Sequence, residues 1–168
     1  MTLLDLSADD VLNTTRAVRK RLDVSRPVDD ELIRECVATA MQAPSGSNNM
    51  TMQFVVVKDA EKRRAIGEVY KQCWAIYSSL PVFAGAIEKD GAAERAQQDR
   101  VVDSATHLSE HMADAPALVL GCTAGRVDGI PFDEIQQACL TPLAHTVGTD
   151  FKRAMRPDPD TIIHWDKW

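Results

Sequence analysis

Ala43-Pro44-Ser45-Gly46-Ser47-Asn48 is followed six residues later by Phe54-Val55-Val56-Val57, and this passage decides the fold class. Upstream of it, Leu32, Ile33, Cys36, Val37, Ala40 and Met41 recur at helical spacing and form one apolar face. Asp29 stands where it can cap that helix, with Val28 and Ile33 placed to staple it. The helix is expected to stop at Ala43, because a proline disfavours helical backbone at the residue before it. The four apolar residues after the loop do not alternate with polar ones, which predicts a strand buried on both faces. A helix, a small-residue loop and a buried strand in succession indicate a chain that layers helices on a sheet.

Working outward, Ser7 is a candidate N-cap, with Asp9 and Asp10 in the first turn and Leu6 poised to staple against Val11. This short helix is expected to run into the segment 14–21. Asp59 is positioned to cap a third helix with apolar residues Ile66, Val69, Tyr70, Cys73, Trp74 and Tyr77. Residues 81–91 connect to a long helix, 92–115, patterned by Val101, Val102, Ala105, Leu108 and Met112. Pro116 opens a second buried strand, 117–122, and 140–147 is a third. A proline-rich segment, Arg156-Pro-Asp-Pro-Asp160, leads to the tail. There is no internal repeat. The class is α+β, a mixed α/β sandwich with few strands and longer helices.

At 168 residues the chain is expected to form one domain, 1–168, large enough to bury about 70% of its unfolded surface. Hydrophobic residues at 45% and charged residues at 26% are ordinary for a globular protein. A net charge of −6 argues against nucleic acid or membrane surfaces as general partners. Yet Arg16, Arg19, Lys20 and Arg21 crowd one short segment, which suggests a local anion site. Cys36, Cys73, Cys122 and Cys139 lie in apolar stretches without a CxxC pair, so buried reduced thiols are expected. The N-terminus lacks the pattern of a signal peptide and no apolar run would span a bilayer, so a cytoplasmic location is expected.

Arg16-Ala-Val-Arg19 carries the chemistry of an anion site: two guanidinium forks three residues apart can converge on one phosphate. Read alone, it is more simply a solvated basic stretch. The Pro44–Asn48 loop offers small residues that let backbone approach a flat ligand, and Asn48 supplies both a donor and an acceptor. Read alone, it is equally a helix-to-strand turn. His107-Leu-Ser-Glu-His111 matches the inverted zinc-protease pattern, but no acidic helix with a third ligand follows, so no metal site is assigned. His145 and His164 show no ligand spacing. No G-x-G-x-x-G follows a strand and no Walker A sequence occurs.

In this order and spacing, the arginine-rich segment, the Ala-Pro-Ser-x-x-Asn loop and the valine-rich strand resemble the nitroreductase family. The ending adds to the resemblance, with Thr146-Val-Gly-Thr-Asp-Phe-Lys152, then Arg156, then Ile163-His-Trp-Asp-Lys-Trp168. It covers residues 14–124 and 131–168. The resemblance implies a nitroreductase-like fold, a central sheet flanked by helices in an intertwined homodimer, with a C-terminal arm of about residues 157–168. It implies FMN as cofactor and NAD(P)H as electron donor, with a nitroaromatic, quinone or similar small molecule as acceptor. Arg16 and Arg19 would bind the FMN phosphate, Ala17 would bring backbone near the ribityl chain, and Arg156 would add a third positive group. Pro44, Ser45 and Asn48 would line the isoalloxazine, reaching the flavin held mainly by the other subunit. Trp165 and Trp168 would lie across the partner chain. No side chain is assigned as general acid, base or nucleophile, since the flavin carries the chemistry.

The sequence departs from the family pattern in three places. Ala17 stands where many relatives carry serine, and Met50-Thr-Met52 stands where relatives often have Gln-Pro-Trp. Only residues 123–139 separate the second and third expected strands, where relatives place a long apolar helix and a glycine-rich segment near flavin N5. The pattern jumps at Gly129-Ile130. The alternative reading is therefore a shortened, non-catalytic member that binds flavin or a protein partner without turnover.

Overall fold

The computed structural model describes residues 5–44, 52–124 and 135–152. They fall into two compact units, Met1–Val18 with Gly148–Trp168, and Arg19–Val147.

The first unit holds helix α1, Ala8–Thr14. Ser7 caps it as expected, its Oγ accepting from the backbone N–H of Asp10 at 3.1 Å. The expected staple does not close: Leu6 and Val11 stay exposed. The helix reaches Thr14, the first residue of the segment 14–21, and ends there before Arg16. At Thr15 the backbone leaves the helical region, after Thr15 N–H has donated to Val11 O at 3.0 Å. The hydroxyls of Thr14 and Thr15 donate to the carbonyls of Asp10 and Val11, so the last turn is satisfied locally without further helix.

The second unit contains β1 (Leu22–Asp23), α2 (Asp30–Ala40), β2 (Met52–Val57), α3 (Ala60–Ser78), α4 (Ala92–His111), β3 (Ala117–Ala124), β4 (Ile135–Leu143) and β5 (His145–Thr146). A single 3₁₀ turn, Met112–Asp114, continues α4, and another, Ala84–Ala86, precedes it. Strands β2, β3 and β4 form an antiparallel sheet in that order, while β1 and β5 form a separate two-stranded ladder. In β4 a register shift after Gly121 leaves Ala138 as the extra residue of a bulge, since Gly121 pairs with Cys139 and Cys122 with Gln137. Among the described residues β4 is an edge strand, where Pro142 is tolerated. The third strand thus begins earlier than expected and breaks at Ala144.

The core sits around β3. Successive side chains of a strand point to opposite faces, and here both Ala117 and Leu118 are fully buried. Leu118 packs with Val57, Leu108, Met112 and Ala115, backed by Ile66 and Tyr70 of α3. Ala117 packs with Val28 and Ile33, backed by Leu32 and Leu143. The sheet is therefore flanked by helices, α3 and α4 on one side and α2 on the other.

Two expectations about burial are corrected. Among the described residues strand β2 is an edge, and only its Val57 is buried, while Val55 and Val56 are exposed. An edge strand has one neighbour, so an unbroken apolar run does not make it an interior strand. Of the cysteines, only Cys122 on the central strand is buried, whereas Cys36, Cys73 and Cys139 are exposed. Apolar periodicity marks a face but not whether the same chain covers it.

Candidate functional site

The candidate site begins where α1 ends. Arg16 is half-buried and folds back on its own helix, donating through Nη2 to Asn13 O at 3.0 Å and through Nη1 to Thr15 O. A guanidinium at a helix C-terminus is favoured by the carbonyls that point there. It carries five N–H donors, so two carbonyls do not exhaust it. Ala17 beside it is exposed, its methyl standing where a hydroxyl would add a donor.

In the second unit Arg19 is half-buried on α4, its Nη1 donating to Ser104 Oγ at 3.5 Å. Lys20 pairs with Asp103, the neighbour of that serine. Arg21 reaches the other way: its Nε donates to Val147 O at 2.7 Å, and Val147 N–H donates to Arg21 O at 2.8 Å, closing the β1–β5 ladder. The basic cluster is thus divided by task. Lys20 and Arg21 anchor the segment to α4 and to β5, and Arg19 is held between them. Arg16 and Arg19 belong to different units.

Pro44 is exposed beyond the C-terminus of α2, which ends at Ala40, three residues earlier than expected. Ser45, Asn48 and Arg156, like Trp165 and Trp168, lie outside the described residues.

The His107–Glu110–His111 pattern takes a form unlike a zinc-protease centre. The two imidazoles stand with centroids 4.3 Å apart and planes tilted by 34°, and His111 Nδ1 lies 2.7 Å from Asp114 Oδ2. Among the described residues no group of three or more histidine, cysteine or acidic side chains is placed to hold a metal ion.

One feature of the surface had no signal in the sequence. A cleft of about 300 Å³ is lined by Asp30, Ile33, Arg34, Val56 and Lys58. Lys58 Nζ donates to Asp30 Oδ1 at 2.7 Å and to Val28 O at 2.9 Å. The lysine beside it holds the Asp30 carboxyl below its ordinary value, through the hydrogen bond first and its charge second. The cleft offers an apolar floor and an ion pair already satisfied within the chain.

No match occurs among curated proteins. Among solved structures, oxidized iodotyrosine deiodinase bound to FMN and 3-iodo-L-tyrosine superposes with a TM-score of 0.64 at 14% identity, covering 95% of this chain and 99% of that one. The FMN-dependent nitroreductase NfnB from Mycobacterium smegmatis, in complex with NADPH, gives 0.45 at 21% identity, over 70% of this chain and 59% of that one. A BluB-like flavoprotein from Clostridium difficile 630 gives 0.42 at 23% identity, over 72% and 50%. This chain thus spans about half to three-fifths of the length of the latter two. The Nitroreductase family model matches residues 12–153, which takes in the end of α1, both arginines and every strand of the described residues. On that match, and on a fold shared with the deiodinase, the chain belongs to the Nitroreductase family.

Proposed function

We propose that this protein is an FMN-dependent oxidoreductase that takes hydride from NAD(P)H and delivers it to a nitroaromatic, quinone or similar acceptor. The observation that carries the reading is the family match across residues 12–153, with Arg16 and Arg19 inside it. The FMN in the deiodinase structure agrees with it.

The residues present fit the cofactor by the chemistry of their donors. A phosphate monoester requires charged, forked donors, and Arg16 and Arg19, each half-buried and hydrogen-bonded to oxygens of its own unit, are proposed as two of them. Arg156 is proposed as a third. Ala17 brings backbone rather than a hydroxyl, and Pro44, Ser45 and Asn48 are proposed to line the ring system. FMN, when bound, supplies the hydride chemistry, and the chain's residues bind and orient it. The proposed assembly is a homodimer located in the cytoplasm.

A second reading, a shortened member that binds flavin or a protein partner without turnover, is favoured by one observation. Strands β3 and β4 are adjacent and antiparallel, joined by residues 125–134 alone. Antiparallel neighbours need no crossover helix, so the connection is a short one where relatives place a long apolar helix. Titration with FMN, followed by anaerobic addition of NADH or NADPH, separates the two. Binding with bleaching supports the oxidoreductase, and binding without bleaching supports the second reading. A protein that stays colourless and takes up no FMN refutes the oxidoreductase and the flavin-binding form of the second reading.

A further inference from the structure

We propose that His107 and His111 form a surface chelate for a late first-row divalent transition-metal ion, independent of any flavin chemistry. The two residues lie one turn apart on α4, so their side chains share a face. Their ring centroids are 4.3 Å apart with planes tilted by 34°, close enough for one ion to bridge them after small side-chain rotations. His111 is about half-exposed and His107 half-buried, so the pair is open to solvent on one side.

The partner of His111 determines which nitrogen is offered. Asp114 Oδ2 lies 2.7 Å from Nδ1, and an ionised carboxylate can only accept, so Nδ1 carries the proton. The lone pair is then on Nε2, directed away from the carboxylate. A carboxylate behind a histidine is the arrangement that fixes the ring of a metal ligand and raises its basicity. The location favours a cation further. The pair sits at the C-terminal end of a 20-residue helix, where backbone carbonyls concentrate partial negative charge.

Two imidazoles, with no third protein ligand among the described residues, define the class of ion. Imidazole nitrogen suits Zn²⁺, Ni²⁺ and Cu²⁺ over Mg²⁺ or Ca²⁺, with affinity rising from Ni²⁺ to Cu²⁺. Among the described residues no three-ligand group exists, so water completes the coordination. The site is thus an exchangeable surface chelate, unlike the closed four-ligand centre of a structural zinc. The stretch that resembles a zinc-protease motif thus contributes its two histidines as the ligands.

The test is calorimetric titration of the full chain with Ni²⁺ at neutral pH. One ion per chain is expected, and His107→Gln or His111→Ala should abolish that uptake. Asp114→Asn should weaken it about tenfold while leaving stoichiometry unchanged, as removal of a ligand's supporting carboxylate does. Cys73→Ser and Cys139→Ser, which remove exposed thiols, should leave it intact. Circular dichroism of each variant establishes that the fold is retained. Absence of Ni²⁺ uptake by the wild type overturns the proposal, as does uptake that persists unchanged in a folded His111→Ala protein.

Discussion

Gly67 of α3 lies against Ala113 in the turn after α4, so closely that a Cβ added to the glycine would stand 2.9 Å from the Cβ of Ala113. The nearest atoms also include the Ala113 backbone nitrogen at 3.2 Å, and backbone cannot rotate away. Close approach of α3 to the turn that feeds β3 thus depends on the missing side chain.

Gly67→Ala should therefore destabilise the fold despite the better helix propensity of alanine. Overpacking costs about 1–3 kcal/mol, against a propensity gain of about 1 kcal/mol. Urea denaturation of Gly67→Ala, and of a Gly67→Ala/Ala113→Gly double variant, measures the difference. Partial recovery in the double variant is expected, and a stabilised single variant would show that the contact is not tight.

Arg63 secures the same corner from the other side. Its Nη1 donates to the carbonyls of Ala113, at 2.7 Å, and Ala115, and its Nε to Lys58 O at 3.3 Å. Ala115 is buried, so its carbonyl has little recourse to water. Arg63→Ala should cost about 2 kcal/mol, the scale of a charged hydrogen bond lost from a shielded acceptor. Arg63→Lys should cost less because one cationic donor remains. Thermal or chemical unfolding of the two variants reads both values.

The Asp30–Lys58 pair predicts a pH dependence with a definite sign. The lysine lowers the Asp30 pKa below its usual 3.8 in the folded chain. The unfolded state therefore binds protons more readily, and the stabilisation is present above about 3.8 and lost as pH falls through the lower folded value. Both side chains are largely exposed, so the effect should be small and screened by salt. An NMR titration of the Asp30 carboxyl should give a midpoint under 3.8 that rises in Lys58→Met. An unchanged midpoint in that variant would remove Lys58 as the cause.

If the two arginines hold a phosphate, each should be felt separately in FMN affinity. A hydrogen bond to a charged group contributes about 1.5–3 kcal/mol, so Arg16→Ala and Arg19→Ala should each weaken FMN binding by about 10- to 100-fold. Lys20→Ala, which removes only the partner of Asp103, should have a lesser effect. Flavin fluorescence quenching on titration measures all three. Equal and small effects of all three substitutions would point to general charge rather than a phosphate grip.

Much of the fold was legible because it rests on near-neighbour chemistry. Ser7 and Asp59 cap their helices by accepting from a backbone N–H three residues on, an interaction that needs no distant partner. The helical spacing of Leu108 and Met112 and the buried run at Ala117–Leu118 marked the two elements that supply the core. The candidate site was legible only as residue types: two arginines at a short spacing and a loop of small residues.

What the sequence by itself determined is the order and type of the elements and membership of the Nitroreductase family, because caps, periodicity and motif order are local properties. Tertiary structure alone decided which residues are spoken for. Lys20 meets Asp103 across 83 residues and Arg63 meets Ala113 across 50, while Arg19 rests on Ser104. It also decided that Val55, Val56, Cys36 and Cys73 face outward although their pattern reads as apolar interior. The reason is that burial and pairing depend on which surfaces the folded chain brings together, and a contact between distant residues leaves no spacing in the sequence to read.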